Sequence, residues 1–240
     1  MSDTVIREVC ANVWTFSKPF SRFGFLPIGG RSTAIKLRDG GIWVLASTPL
    51  NEETKATIDK LGPVRYIVGG NAVHRLFLSD FKKAYPDAKL IAPQAAIDGY
   101  HDPSTKFDGA WGSDHPDTKY GFEDEVKHCY FEGFRNKDVA FFHHDSKSLI
   151  EADLLFNLPA HEQYSKSNQL AHIPVLGLLL RPSFLNPRVA WGLAHDKEAM
   201  KNHVKTIESW EFERIIPCHG DVIEKDAKAA WREAYRAHYD

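Results

Sequence analysis

Leu149-Ile150-Glu151-Ala152-Asp153 and Ile215-Ile216-Pro217-Cys218-His219-Gly220-Asp221 are the two stretches that decide the fold. Each is an apolar, strand-like run that stops on a side chain able to bind a metal, Asp153 in the first and His219 in the second. Strand ends hold ligands rigidly and leave one side open to solvent. An Asp and a His placed this way therefore suggest a metal-centred hydrolase.

Working outward from the first run, strands are expected over 126–131 and 139–142, and an irregular segment over 157–168 follows Asp153 directly, where it would overhang any site built there. Before the second run, Asp196 caps a helix with Ala199, Met200, His203, Val204 and Ile207 on one face. The chain closes on a helix with the apolar stripe Ala227, Ala230, Trp231, Ala234 and Tyr235. In the first half, strands are expected over 13–16, 32–37 and 41–46, with Asp39-Gly40 as a hairpin turn. Asn51 then caps a helix closed by Gly62 and Pro63, a strand covers 64–68, helical spacing joins Leu76, Phe77, Phe81 and Ala84, and a strand covers 89–92. The stretch 101–125, dense in Asp, Gly, Pro and His, reads as a long surface loop of the kind that walls a binding cleft. Both halves run strands first, then helix and strand. That order suits two mixed sheets packed face to face with helices outside, an α/β sandwich forming one domain over 1–240.

A chain of 240 residues with 43% hydrophobic content can bury a large core. Its net charge of −2 and pI of about 6.6 provide no field that would attract nucleic acid or an anionic membrane. The expected partner is a small molecule, with a homo-oligomer left open. The first residues carry charges where a signal peptide needs an apolar core, and no apolar run approaches the ~20 residues of a membrane span. Cys10, Cys129 and Cys218 are odd in number and lack C-x-x-C spacing, which argues against a disulfide framework and a thiolate zinc site. A cytoplasmic location is the expectation.

Glu132-Gly133-Phe134, continuing through 135–141 and then Ser148 to Phe156, resembles the Gly-His turn, strand and Gly-Asp turn of the metallo-β-lactamase superfamily. Ile215 to Gly220 is similar to the His-Gly that ends that superfamily's last core strand, and Tyr66-Ile67-Val68-Gly69-Gly70-Asn71 to the strand carrying its His-x-His-x-Asp-His signature. The resemblance implies an αββα sandwich. In the superfamily, two signature histidines and the turn histidine bind one zinc. The signature's Asp and last His join the final His on a second zinc, and the Gly-Asp bridges both. Here 71–77 reads Asn-Ala-Val-His-Arg-Leu-Phe, so His74 alone survives, and Phe134 stands in place of the turn histidine. Matched one way, His74 replaces the signature's second His; matched the other, it lies between two ligand positions and Asn71 takes the first. The retained set is His74, Asp153 and His219, a degenerate signature.

Three protein ligands plus an open position are what a catalytic mononuclear zinc needs. One reading is thus a non-standard hydrolase acting on a small ester, lactone or amide with at most one zinc or other divalent transition metal. In it Asp153 also orients the attacking water, Asn71 polarises or positions, and His161, Glu162 and Tyr164 on the 157–168 loop supply a proton or a substrate contact. Phe77 and Phe134 make the pocket drier. A second reading is a metal-free protein that binds a small apolar ligand between Phe77 and Phe134, and a third is metal-free acid-base catalysis by Asp153 and His219. Of the remaining residues, His143 and His144 are strand neighbours pointing to opposite faces and cannot share a metal, and the same argument weighs against Cys218 as a nucleophile served by His219. Arg31 either anchors an anionic substrate or pairs with a carboxylate.

Overall fold

The computed structural model of the chain describes residues 2–171 and 186–239. In chain order, β1 (Val5–Cys10) and β2 (Val13–Lys18) are followed by a two-stranded ribbon of β3 (Ser21–Arg22) and β4 (Leu26–Pro27). Then come β5 (Gly30–Lys36), β6 (Ile42–Leu45), β7 (Val64–Val68), β8 (Lys89–Pro93) and β9 (Gly109–Trp111). Apart from the ribbon, these form one sheet in the order β1-β2-β5-β6-β7-β8-β9, antiparallel up to β6 and parallel beyond it. A second sheet holds β10 (Val126–Tyr130), β11 (Val139–His143), β12 (Ser148–Glu151) and β13 (Arg214–Pro217), with the last pair parallel.

Because successive strand residues point to opposite faces, each core strand serves two layers at once. Ile35, Trp43 and Leu45 meet Val139, Phe141 and Ile150 between the sheets, where the Trp43 and Phe141 rings touch edge-on at 4.9 Å. Their neighbours Ala34, Ile42 and Val44 face outward onto the helices Glu52–Leu61 and Leu78–Ala84 through Ile58 and Phe81. On the far side, Phe142, Leu149 and Ile215 face the helices Lys197–Glu208 and Ala227–Ala234 through Val204 and Trp231. The result is a helix-sheet-sheet-helix sandwich. Its helix starts follow the capping rule: Asn51 accepts from the Thr54 amide at 2.8 Å and Asp196 from the Ala199 amide at 3.0 Å.

The stretch 101–125 departs from the reading as a cleft wall. β9 lies within it and pairs with the edge of β8, while Trp111, Tyr120 and Phe122 turn inward between the sheets. Aromatic residues spaced that irregularly give no periodic signal, although burying them contributes as much as a regular strand would. β1 and the helix Asn186–Leu193 are further elements that the sequence reading did not place. Among the described residues, no helix is long and apolar enough to cross a membrane.

The segments that follow β6, β7, β12 and β13 meet at one end of the sandwich. Sites in such folds lie beyond the carboxyl ends of parallel strands. Gly70, just past β7, allows the two sheets to close there: a Cβ on it would fall 2.8 Å from the Ala152 Cβ, and its carbonyl accepts from the Val139 amide at 2.9 Å.

Candidate metal centre

Three side chains from three of those segments converge. His74 Nε2 lies 3.4 Å and His219 Nε2 3.2 Å from the same Asp153 oxygen, Oδ1, and the two imidazole nitrogens are 3.2 Å apart. A tetrahedral metal with ligands at about 2.0–2.2 Å puts neighbouring ligand atoms roughly 3.3–3.6 Å apart, so the triangle has the size of a metal site. For His219 the outer partner sets the tautomer. His219 Nδ1 is 2.6 Å from the Gly29 carbonyl, which can only accept, so a neutral His219 presents the lone pair of Nε2 to the triangle. His74 Nδ1 faces Ser47 Oγ at 3.1 Å. The two nitrogens and one carboxylate oxygen suit a divalent transition metal.

The same convergence holds charge strongly. Burial opposes a charged His74, yet the charge of Asp153 and its hydrogen bond hold the imidazole well above its ordinary pKa. Burial would likewise raise Asp153, but the charge of His74, its hydrogen bond and the close approach of His219 hold it well below the usual carboxylate range.

A buried amide-carboxylate network fixes these atoms from below. Asp153 Oδ2 accepts from Asn71 Nδ2 at 2.8 Å and from Asn136 Nδ2 at 2.9 Å, which leaves Oδ1 for the histidines. Asn71 Nδ2 also donates to Asp138 Oδ2 at 2.6 Å, and Asn71 Oδ1 accepts from the amides of Val73 at 2.9 Å and His74 at 3.0 Å, setting the turn that aims His74. Asp138 Oδ2 accepts from the Asp153 amide at 3.0 Å. Burial first, then the charge of Asp153, pushes Asp138 up to about 7.

A second brace holds the His219 turn. Gly29 has φ +71°, and a Cβ there would fall 1.9 Å from Gln163 Oε1, so glycine is what allows its carbonyl to reach His219. Gln163 donates to the Cys218 carbonyl at 2.9 Å and accepts from the Gly220 amide at 3.0 Å. Arg31, wholly buried, donates to the carbonyls of Pro217 and Gly220, both at 2.6 Å, and to Glu162 at 3.1 Å. Of the two roles the sequence left open for Arg31, the structure shows pairing with a carboxylate. The Phe156 ring stacks on His219 at 5.3 Å.

A cavity of about 210 Å³ opens over His74 and His219, with Phe77 in its wall. Several expectations are corrected here. Phe134 does not line this cavity. It is buried with Ala190 and Ala194 on the outer face of the second sheet, because its turn delivers Asn136 to the site instead. His161 is exposed and pairs with Asp221 at 3.0 Å, and the buried Tyr164 donates its hydroxyl to the Phe20 carbonyl at 2.7 Å. The 157–168 segment thus braces the His219 turn and Phe20 from behind and does not overhang the cavity. Of the two roles the sequence left open for Asn71, its full burial and an amide committed on both sides fit positioning. His143 lies elsewhere, bonded to Ser146 at 2.8 Å near Glu125 and Asp145. Cys218 is buried, with Sγ 3.4 Å from Ser47 Oγ.

Sequence reasoning missed Asn136, Asp138 and Ser47. Asn136 and Asp138 sit in the turn whose histidine is lost, so two polar side chains just before a strand were the available signal. Ser47 offered none beyond its place after β6.

Solved structures share this architecture. A metallo-β-lactamase from Pontibacter korlensis superposes with a TM-score of 0.62 at 11% identity, covering 97% of this chain and 99% of that one. The metallo-β-lactamase FIM-1 from Pseudomonas aeruginosa, in its mono-zinc form, gives 0.62 at 11% identity over 99% and 97% of the two chains. A mutant flavo di-iron protein from Thermotoga maritima gives 0.68 at 13% identity, with 99% of this chain matched to 63% of that one. At such identities the likeness shows a metallo-β-lactamase-like fold. No curated protein matches the sequence significantly. Residues 11–178, well over half of the chain, match the family model described as a domain of unknown function, DUF4336, and the chain belongs to that family.

Proposed function

We propose that this chain is a hydrolase that uses one divalent transition metal to cleave a small ester, lactone or amide. The observation that carries the reading is the triangle of His74 Nε2, His219 Nε2 and Asp153 Oδ1, with sides of 3.2–3.4 Å, at the floor of an apolar cavity. When bound there, the metal would polarise a carbonyl and lower the pKa of water. His74, His219 and Asp153 would hold it. Asn71 and Asn136 keep Asp153 Oδ2 occupied, which leaves Oδ1 as the carboxylate oxygen that would serve as ligand and orient a water. Phe20, Phe77 and Val73 line the cavity above the triangle and make its wall apolar.

One metal is the expected complement, since the described residues at this end offer three clustered ligands and no more. The mono-zinc form of FIM-1 supports the reading that the fold accommodates a single metal. Protein purified without chelators should carry about one transition metal per chain, lose esterase or lactonase turnover on chelation and regain it with zinc. Two metals per chain would overturn the reading. Turnover indifferent to chelation would also overturn it, in favour of acid-base catalysis by Asp153 and His219.

A further inference from the structure

The cavity wall combines two chemistries that its floor does not use. Pro19, Phe20, Pro49, Val73, Leu76 and Phe77 give it an apolar surface, and Leu76 is 72% exposed while Phe20 and Val73 are each 40% exposed. Leaving such residues open to water is costly unless something apolar covers them. The same wall carries Lys18, Arg22 and Arg75, and no Asp or Glu. Lys18 is paired with Asp3. Arg22 and Arg75, by contrast, have no carboxylate partner among the described residues: the Arg22 guanidinium lies 5.2 Å over the Phe23 ring, and the Arg75 guanidinium packs on Gly99 with Nη1 donating to the Ala72 carbonyl at 3.2 Å. Among the other exposed arginines, Arg38, Arg65, Arg232 and Arg236 are paired with acids, while Arg135 and Arg188, away from this wall, have no acid partner among the described residues.

The volume of about 210 Å³ is below the roughly 300–1,000 Å³ of sites for drug-sized ligands, so the cavity takes a short molecule or one end of a longer one. From apolar walls that carry no Asp or Glu, and a rim with two guanidinium groups that have no carboxylate partner among the described residues, we infer that the cavity selects amphiphilic anions: molecules with a short alkyl or aryl body and a carboxylate or phosphate that Arg22 and Arg75 receive. Guanidinium suits both head groups because its paired N–H bonds match two oxygens of either. The inference rests on the hydrolase reading only in taking such a molecule for the substrate.

Binding separates the two ideas. Titration calorimetry with octanoate, octyl phosphate, octan-1-ol, octyltrimethylammonium and acetate, each on zinc-loaded and on chelator-treated protein, gives the ranking. Octanoate and octyl phosphate should bind at least about tenfold tighter than octan-1-ol and acetate, and octyltrimethylammonium should not saturate. The ranking should survive chelation, since it comes from the rim and not from coordination. The double variant R22Q/R75Q should bring octanoate to the affinity of octan-1-ol. R22Q alone, at an exposed position that leaves the Arg75 bond to Ala72 intact, should close part of that gap. Equal binding of octan-1-ol and octanoate, equal binding of acetate and octanoate, a preference that vanishes with the metal, or one that R22Q/R75Q leaves unchanged would each overturn the inference. Octyl anions that bind as expected while no ester, lactone or amide is cleaved would defeat the hydrolase reading alone. Metal-dependent cleavage of a small neutral ester with a flat binding ranking would defeat this inference alone.

Discussion

The floor and the wall of the cavity are built on opposite principles. Beneath the ligand triangle, Asn71 and Asp138 are fully buried and bonded to each other, to the backbone and to Asp153. Above it, Leu76 and Val73 stand in solvent and Arg22 and Arg75 have no counter-charge among the described residues. The floor tolerates little change, because each side chain there satisfies several buried partners and removing one strands the rest. The wall tolerates much. On the proposed reading, geometry for a metal and affinity for a ligand should be separable, and mutations should sort into one class or the other.

Asp153→Asn is the hardest test of that separation and carries the largest expected effect. It removes a ligand atom and the negative charge that His74 and His219 share, and breaking such a buried pair costs about 3–5 kcal/mol. Elemental analysis should find metal content falling to below about a tenth of the native value, with the denaturation midpoint lowered; native metal content in this variant would dissolve the distinction. Asn71→Ala comes next. It strands the amides of Val73 and His74 and takes a donor from two carboxylates, at about 2–3 kcal/mol, while metal affinity falls about 10–100-fold. Chemical denaturation and competition with a zinc dye measure the two effects; a change in stability with unaltered zinc affinity would make Asn71 merely structural.

Ligand linkage gives a third, slightly smaller effect. Zinc at a hundred times its Kd should stabilise the native protein by about 2.7 kcal/mol and Asp153→Asn not at all, a contrast read directly by thermal melts. The smallest effect belongs to the wall. Leu76→Ser should leave stability within about 0.5 kcal/mol and metal content unchanged, while raising KM for an octyl ester several-fold over that for an acetyl ester. Loss of metal from this variant would show that wall and floor are coupled.

The same division explains what was legible in the sequence. The sandwich was readable because strands such as Val139–His143 are apolar on both faces and helices such as Lys197–Glu208 begin on an Asp cap. Asp153 and His219 were readable because a polar ligand ends an apolar run. Asn136 was not, since an amide in a Gly-containing turn looks like any surface turn until Asp153 appears beside it. Phe134 misled for the converse reason. It occupies the sequence position of a ligand, but a large apolar side chain follows the nearest core, and there that core lies with Ala190 and Ala194. His161 and Tyr164 were placed on the cavity by chain proximity, whereas Asp221 and the Phe20 carbonyl draw them behind it.

The outer nitrogens of the two ligand imidazoles rest on a peptide carbonyl, Gly29, and on an alcohol, Ser47. Many metal-binding histidines are oriented by carboxylates, which titrate and let acid loosen the ring. Neither a peptide carbonyl nor a serine hydroxyl gains or loses a proton over the range in which proteins stay folded. The outer partner of each ring is therefore one that acidity leaves unchanged, and the carboxylates of the site, Asp153 and Asp138, both lie on the inner side.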